Sequence, residues 1–450
     1  MTTTLKNDIE QQIAKAIRSN ADSFSLYGRY QKGELLPKTL LDIPCLRHLC
    51  LTNFYTDMPA WLTNLTSLES LEIEEAGSVS EIVPLLWKLG RLRKLKLAYV
   101  DGLDEIFPLE LTKLKHLEEL NIDGAHFEHF PTEIASLTSL QSFSQHYCYC
   151  ELPEIFDVLS ALPRLKKLRL THQPDEGGDI LPESFCRLQS IEELHFNDWI
   201  YLQELPECIG SMRNLRVLDV SNDDHQHGYD ALMNELPDSL CQISNLEELD
   251  VYGLQDLKQF PPNFSRLTRL KNLNTVGSGI DELHLTPEQW KNLEGLCMHG
   301  PLPDMRQCAN LKDFYWFKNG VGVDASGVSF GTDEVISMPL SPLRKLESLK
   351  IMGGALDSTD FLASLTNLRK LHLSCDFEIF PAGFEKVNKL EKISIWGAKS
   401  LKALPEYLGH IPSLQSLYLT GCGVKELPKS IRERKDLYID VCNCPVKWPE

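Results

Sequence analysis

The 450-residue chain lacks several features that would narrow its function at once. It has no apolar run of about 18 residues or more, which excludes a membrane-spanning helix. Positive charge is in deficit: 45 lysines and arginines face 64 aspartates and glutamates, a net charge of −19. Nucleic acid is bound largely by neutralising phosphates, so an acidic chain of this kind is expected to have no nucleic-acid partner. The segment from Met1 to Asp8 has no apolar core, and no secretory signal is expected there. The phosphate-loop pattern G-x-x-x-x-G-K-[ST] and the zinc-protease pattern H-E-x-x-H are both missing, so neither a nucleotide motor nor that metalloenzyme is expected. A dense disulfide framework is missing too. The 13 cysteines are odd in number and scattered, which reads as reduced thiols in a cytosol. In that setting the sequons at Asn64 and Asn263 carry no glycan.

What the chain has in excess is leucine, 75 residues spread almost evenly. The leucines recur as L-x-x-L-x-L. Clear copies are Leu46/Leu49/Leu51, Leu68/Leu71/Ile73, Leu92/Leu95/Leu97, Leu215/Leu218/Val220, Leu368/Leu371/Leu373 and Leu414/Leu417/Leu419. Weaker copies begin at Leu140, Ile191, Leu270, Leu311, Leu346, Leu390 and Asp436, and a degenerate one holds Phe24 and Leu26. The mean step is about 24 residues, within the range of a short structural repeat, and about 18 units fill residues 21–450. A second half-motif, L-P-x-x-L-x-x-L, follows many of them, as at Leu205-Pro206, Leu236-Pro237, Leu404-Pro405 and Leu427-Pro428. Proline ends an extended segment, and apolar residues at three-residue spacing then suit a 3₁₀ turn or short helix.

The alternating Leu-x-Leu portion is a short strand with one buried face. One unit cannot bury its own leucines, so units must stack into a parallel sheet over a continuous core. At ~4.8 Å per strand, some 18 strands make a concave ribbon on the order of 80 Å long. Residues 5–19 place Leu5, Ile9, Ile13 and Ile17 four apart, an amphipathic helix read as a cap within residues 1–20. Trp448 is the expected lid at the other end.

These units resemble the leucine-rich-repeat superfamily over nearly the whole chain. The phrases from Gly397 to Glu406 and from Gly421 to Pro428 are similar to repeats of plant intracellular immune receptors. They are also similar to bacterial leucine-rich-repeat proteins, including secreted effectors and the repeat arms of Roco-type GTPases. The resemblance implies an α/β solenoid: a curved horseshoe, parallel β-sheet inside, short helices and 3₁₀ turns outside. Such proteins carry chemistry in attached domains, and no stretch outside the repeats is long enough for a ligase or kinase. The chain departs from the family at the ninth repeat position, usually asparagine. Here it holds Ala76, Val100, Ala125, Cys148, Trp199, Gly354, Cys422 and Cys444, with Asn319 alone matching. The backbone groups that asparagine would satisfy need other partners.

The expected function is a non-enzymatic recognition scaffold in the cytoplasm, without cofactor, binding another protein on its concave face. Its x positions carry charge in blocks, from Glu69, Glu72 and Glu74 through Arg93, Lys94 and Lys96 to Glu118 and Glu119, then Lys166, Lys167 and Arg169. Much of that reads as neighbouring strands pairing opposite charges. Tyr252, Tyr315, Phe317, Trp396 and Tyr418 take x positions in the C-terminal half, with Tyr99 nearly alone in the N-terminal half. Exposed aromatics of this kind make interface hot spots, so these five are the expected partner-binding residues. An alternative is a bacterial effector that leaves the cell without a cleaved signal and binds a host protein. A further alternative is a metalloprotein using His225 and His227, or Cys148 and Cys150 beside His146. The competing reading makes the first pair part of a solvated insertion near 222–234 and the second pair structural. A second insertion, 319–341, is rich in glycine and serine.

Overall fold

A computed structural model describes residues 2–28, 36–103, 107–172, 178–222, 231–318 and 335–446. The chain divides into two compact units, Met1–Leu218 and Asp219–Glu450.

In the first unit a helix runs Thr2–Ser19 and buries Ile9, Ile13 and Ala16. Strands Ser23–Tyr27, His48–Thr52, Ser70–Ala76, Lys94–Val100, Glu119–Asn121, Ser142–Cys148, Lys167–His172 and Glu193–His195 follow, each hydrogen-bonded in parallel to the next. In the second unit the parallel series is Glu248–Asp250, Asn272–Asn274, Gly295–His299, Asp313–Phe317, Ser348–Leu356, Lys370–Asp376, Lys392–Trp396, Ser416–Thr420 and Tyr438–Cys442. Motif leucines stack in register, as in Leu49↔Leu71↔Leu95↔Leu120, and Leu49, Leu71, Leu95 and Leu120 are all buried. Each fully buried leucine contributes roughly 1.5–3 kcal/mol.

The L-P half-motif mostly becomes a 3₁₀ turn, with proline pre-setting φ before it. Glu207–Ser211 follows Pro206, Asp238–Gln242 follows Pro237, and Glu406–His410 follows Pro405. Pro206 sits at φ −72°. Three copies form α-helix instead, among them Lys429–Arg432 after Pro428. The others are Leu152–Ser160 and Pro287–Asn292, the latter starting at a capping box between Thr286 and Gln289.

The missing asparagine ladder is replaced in part. Cysteine stands in at the ninth position: the Cys422 thiol donates to the Ile395 carbonyl (3.3 Å), and Cys444 donates to Leu419 (3.6 Å). A separate ladder runs at the other end of the strands, from the residue before the first leucine, where serine or asparagine reaches back one repeat. Ser67 donates to Leu46 O, Ser190 to Leu165 O, Asn214 to Gln189 O, Asn292 to Thr268 O and Asn367 to Arg344 O, at 2.6–3.0 Å. At the C-terminal end Arg434 donates to the carbonyls of Gly409, Ile411 and Leu414.

The expectation that every thiol is free needs correcting. Cys186 and Cys208 form a disulfide between the 3₁₀ turns Glu183–Arg187 and Glu207–Ser211, and 11 cysteines remain free. Their 22-residue separation is one repeat, so stacking brings the Cα atoms to 5.6 Å. That is an ordinary distance for a disulfide.

Candidate functional site

The x positions of each strand form rows across the exposed sheet face. The outermost row alternates in sign. In the first unit Arg47 pairs with Glu69 (3.7 Å), Arg93 with Glu118, and Lys166 with Glu192 (2.7 Å). In the second, Lys271 pairs with Glu247 (2.8 Å), Lys312 with Glu294 (2.5 Å), and Arg369 with Glu391 (2.8 Å). The charge blocks of the sequence are thus largely cross-strand pairs. The inner rows of the first unit behave the same way. Lys94 meets Glu72 (3.1 Å), Lys96 meets Glu74 (2.8 Å) and Lys167 meets Glu193 (2.6 Å). The bond from Lys167 holds the Glu193 carboxyl below the usual range.

The inner rows of the second unit differ. In Asp313–Phe317 the side chains of Phe314 and Trp316 are buried, which turns Tyr315 and Phe317 outward. One row then runs in register through Tyr315, Lys350, His372, Ser394, Tyr418 and Asp440. The row beside it runs through Asp313, Ser348, Lys370, Lys392, Ser416 and Tyr438. Trp396 ends its strand 38% exposed, and its ring meets His372 edge-on, with centroids 5.3 Å apart. Two lysines lie over rings: Lys350 Nζ is 5.2 Å from the Phe317 centroid and Lys392 Nζ is 4.8 Å from that of Tyr418. Tyr418 also packs against Tyr438 at 5.6 Å, and the Tyr315 hydroxyl lies 3.2 Å from Ser348 Oγ.

Burial sets the ionisation here. It pushes the Lys350 ammonium down. Burial first, then the charges of Lys350 and Lys392, lowers His372 to about 4. His372 is therefore neutral at pH 7, and its buried Nε2 has no hydrogen-bond partner among the described residues. Asp250, three strands before Tyr315, is raised by burial to about 6, although it accepts bonds from Tyr252 N (2.9 Å) and Asn274 Nδ2 (3.0 Å).

Of the five expected interface residues, Tyr315, Phe317, Trp396 and Tyr418 share one stretch of face, while Tyr252 lies beside Asp250 and apart from them. Sequence reasoning passed over Lys350, His372, Lys392 and Tyr438, although all occupy x positions of the same motif. It also passed over aromatics at the strand ends of the first unit. Tyr27, Tyr55, Tyr147 and Tyr149 are exposed there along with Tyr99.

The metal candidates are placed as follows. Cys148 and Cys150 are buried, and the Cys150 thiol donates to Phe127 O (3.3 Å). His146 Nδ1 lies 3.3 Å from the Thr171 hydroxyl. Among the described residues no three His, Cys, Asp or Glu side chains converge as a metal site would require. His225 and His227 lie outside the described residues, as do Asn319, Trp448 and most of both insertions. So does the string Gly327, Val328, Ser329, Phe330, Gly331, which matches G-x-S-x-G and corrects the expectation that this motif is absent. That pattern signals a nucleophile only between a strand and a helix.

With this geometry in view, the comparisons with known proteins are consistent. No family model matches the chain. It is 27% identical to the mouse volume-regulated anion channel subunit LRRC8B over 245 residues, 53% of this chain and 29% of that protein. It is 26% identical to the Arabidopsis thaliana disease resistance protein RPS6 over 292 residues, 64% of this chain and 23% of that protein. The matched stretches thus span less than a third of those relatives' own length. Among solved structures, the TLR13–ssRNA13 complex superposes with a TM-score of 0.52 at 18% identity, covering 94% of this chain and 60% of that one. The chain has the leucine-rich-repeat solenoid fold. Among the described residues no helix is long and apolar enough to cross a membrane.

Proposed function

We propose that the protein is a non-enzymatic recognition scaffold that binds another protein through the exposed sheet face of its second unit. One observation carries this reading. Tyr315, Phe317, Trp396 and Tyr418 stand on a rigid parallel ladder, outward-facing, within four strand steps of one another. Aromatic anchors on a preorganised surface bind at low entropic cost. The charge of −19 argues against an RNA ligand of the kind in the TLR13 complex.

A cytoplasmic location belongs to this reading. The disulfide between Cys186 and Cys208 supports the alternative of an effector working outside the cell that makes it, because disulfides persist in oxidising compartments. Mass-shift thiol labelling of protein from its native source separates the two: 13 reactive thiols after denaturation fit the cytoplasm, and 11 fit the alternative.

The binding reading is tested by affinity capture and mass spectrometry. Wild type is compared with the variant Tyr315→Ala/Trp396→Ala/Tyr418→Ala, whose folding is checked by circular dichroism. Loss of one partner from the folded variant is expected. A partner retained at full strength would move the interface elsewhere.

A further inference from the structure

The lysines of the two units differ in what they face. On the inner rows of the first unit Lys94, Lys96 and Lys167 each have a glutamate within 4 Å. On the inner rows of the second unit Lys350, Lys370 and Lys392 have no such ion pair among the described residues, and two of them rest on aromatic rings instead. Between the flanking Asp313 and Asp440 these two rows hold three lysines, a neutral histidine, serines and tyrosines, and no carboxylate. The acids nearest in sequence, Glu347 and Glu391, stand in the outermost row, where both pair with Arg369. A local cluster of unpaired positive charge in a chain of net charge −19 is a charge pattern waiting for its complement.

We infer that this face takes an acidic peptide segment of the partner, its carboxylates received by Lys350, Lys370 and Lys392 and its apolar side chains by Phe317, Trp396 and Tyr418. The inference rests on the binding reading above and adds the chemistry of the ligand. From Tyr315 to Tyr418 is four strand steps, about 19 Å at ~4.8 Å each, the length of about six extended residues. The rings hold the ammonium groups in place through cation–π contact without neutralising them. An arriving carboxylate then forms a charge-assisted hydrogen bond in a partly dehydrated site, where such bonds are strongest. Lys350 is already half-buried, so part of its dehydration precedes the ligand. His372 follows Lys350 in the same row, beside Lys370 of the neighbouring row, and adds no competing charge at neutral pH.

The test is selection of a displayed random peptide library, about twelve residues long, on the full chain. Retained peptides are then measured by fluorescence polarisation against three folded variants. Lys350→Glu/Lys392→Glu reverses the charge. Lys350→Met/Lys392→Met removes it and keeps the apolar stems. Trp396→Ala removes an aromatic wall. The expected peptides are rich in Asp and Glu beside aromatic or aliphatic residues. Their affinity falls at least about tenfold with either lysine variant, falls with Trp396→Ala, and weakens in 0.5 M salt as screening requires. Peptides that need Trp396 but lack acidic residues, or ignore charge reversal, would overturn the acidic ligand while leaving the face as a binding surface. Peptides indifferent to all three variants, or an empty selection, would count against the face itself.

Discussion

The eighth position of the repeat takes a left-handed backbone in both units, but the two fill it with different residues. In the second unit it is glycine at Gly253, Gly277, Gly300, Gly353, Gly397 and Gly421, with φ between 63° and 95°, and asparagine once, at Asn443 with φ 54°. In the first it holds Asn53, Glu75, Tyr99, Tyr147 and Asp198, with φ between 48° and 62°, and glycine at Gly124. A side chain in that conformation costs roughly 1–2 kcal/mol. The turn that lifts the chain off these strands therefore imposes the same backbone in both units, and the second unit meets it mostly with glycine. In return the first unit carries side chains at its strand ends: the Tyr99 ring lies across Gly124, where a Cβ would come within 2.8 Å of it. The inner-row charges separate the units again. The first pairs its lysines with glutamates, whereas the second leaves three of them unpaired among the described residues.

Substitutions at this position should break the comparison most visibly. Gly300→Ala combines a φ of 78° with a Cβ placed against the Asp281 carbonyl, and should lower stability by about 2–3 kcal/mol in urea unfolding. A loss below about 0.5 kcal/mol would mean that the second unit tolerates side chains there as the first does. The converse change, Glu75→Gly, should stabilise by up to about 1 kcal/mol, because relief of the left-handed strain exceeds the added entropy of the unfolded chain.

Titration probes the buried groups of the second unit. Asp250 is raised to about 6, so the folded state holds its proton more tightly than the unfolded state does. Its contribution is full below about pH 4 and is lost as pH rises toward 6. His372 is lowered to about 4, so it favours unfolding in acid and its penalty disappears as pH rises toward 6.5. Between pH 4 and 6 the two oppose each other. Asp250→Asn should therefore leave stability rising with pH across that window, and His372→Gln should leave it falling, both read by denaturant unfolding at stepped pH.

The smallest effect expected is in the paired charges of the first unit. A double-mutant cycle on Lys96 and Glu74 should give coupling below about 1 kcal/mol, since both side chains remain partly exposed. A larger value would make that ladder a stabilising network.

The solenoid was legible because each of its causes is local. Leu-x-Leu alternation sets the strands, and proline after the strand sets the 3₁₀ turns. Even the weak repeat at Leu311 was readable, because Phe314 and Trp316 occupy the leucine positions and turn Tyr315 and Phe317 out. What escaped the sequence reading depends on which repeats are stacked. Cys186 and Cys208 look unrelated along the chain and become neighbours only when one repeat lies on the next. The serine and asparagine ladder was overlooked because attention fell on the ninth position, whereas Ser67, Asn214 and Asn367 sit just before the first leucine. The lysine–aromatic rows were missed for a related reason. Lys350 and Phe317 are separated by a long insertion, and only strand register sets the ammonium over the ring. Nothing local marks Glu75 or Tyr99 as left-handed, since neither residue type favours it.

Hydrogen–deuterium exchange of the full chain with and without its captured protein partner tests the central claim most directly. The account predicts new protection in Asp313–Phe317, Ser348–Leu356, Lys370–Asp376, Lys392–Trp396 and Ser416–Thr420. Protection confined to the strands of the first unit, with these five unchanged, would contradict it.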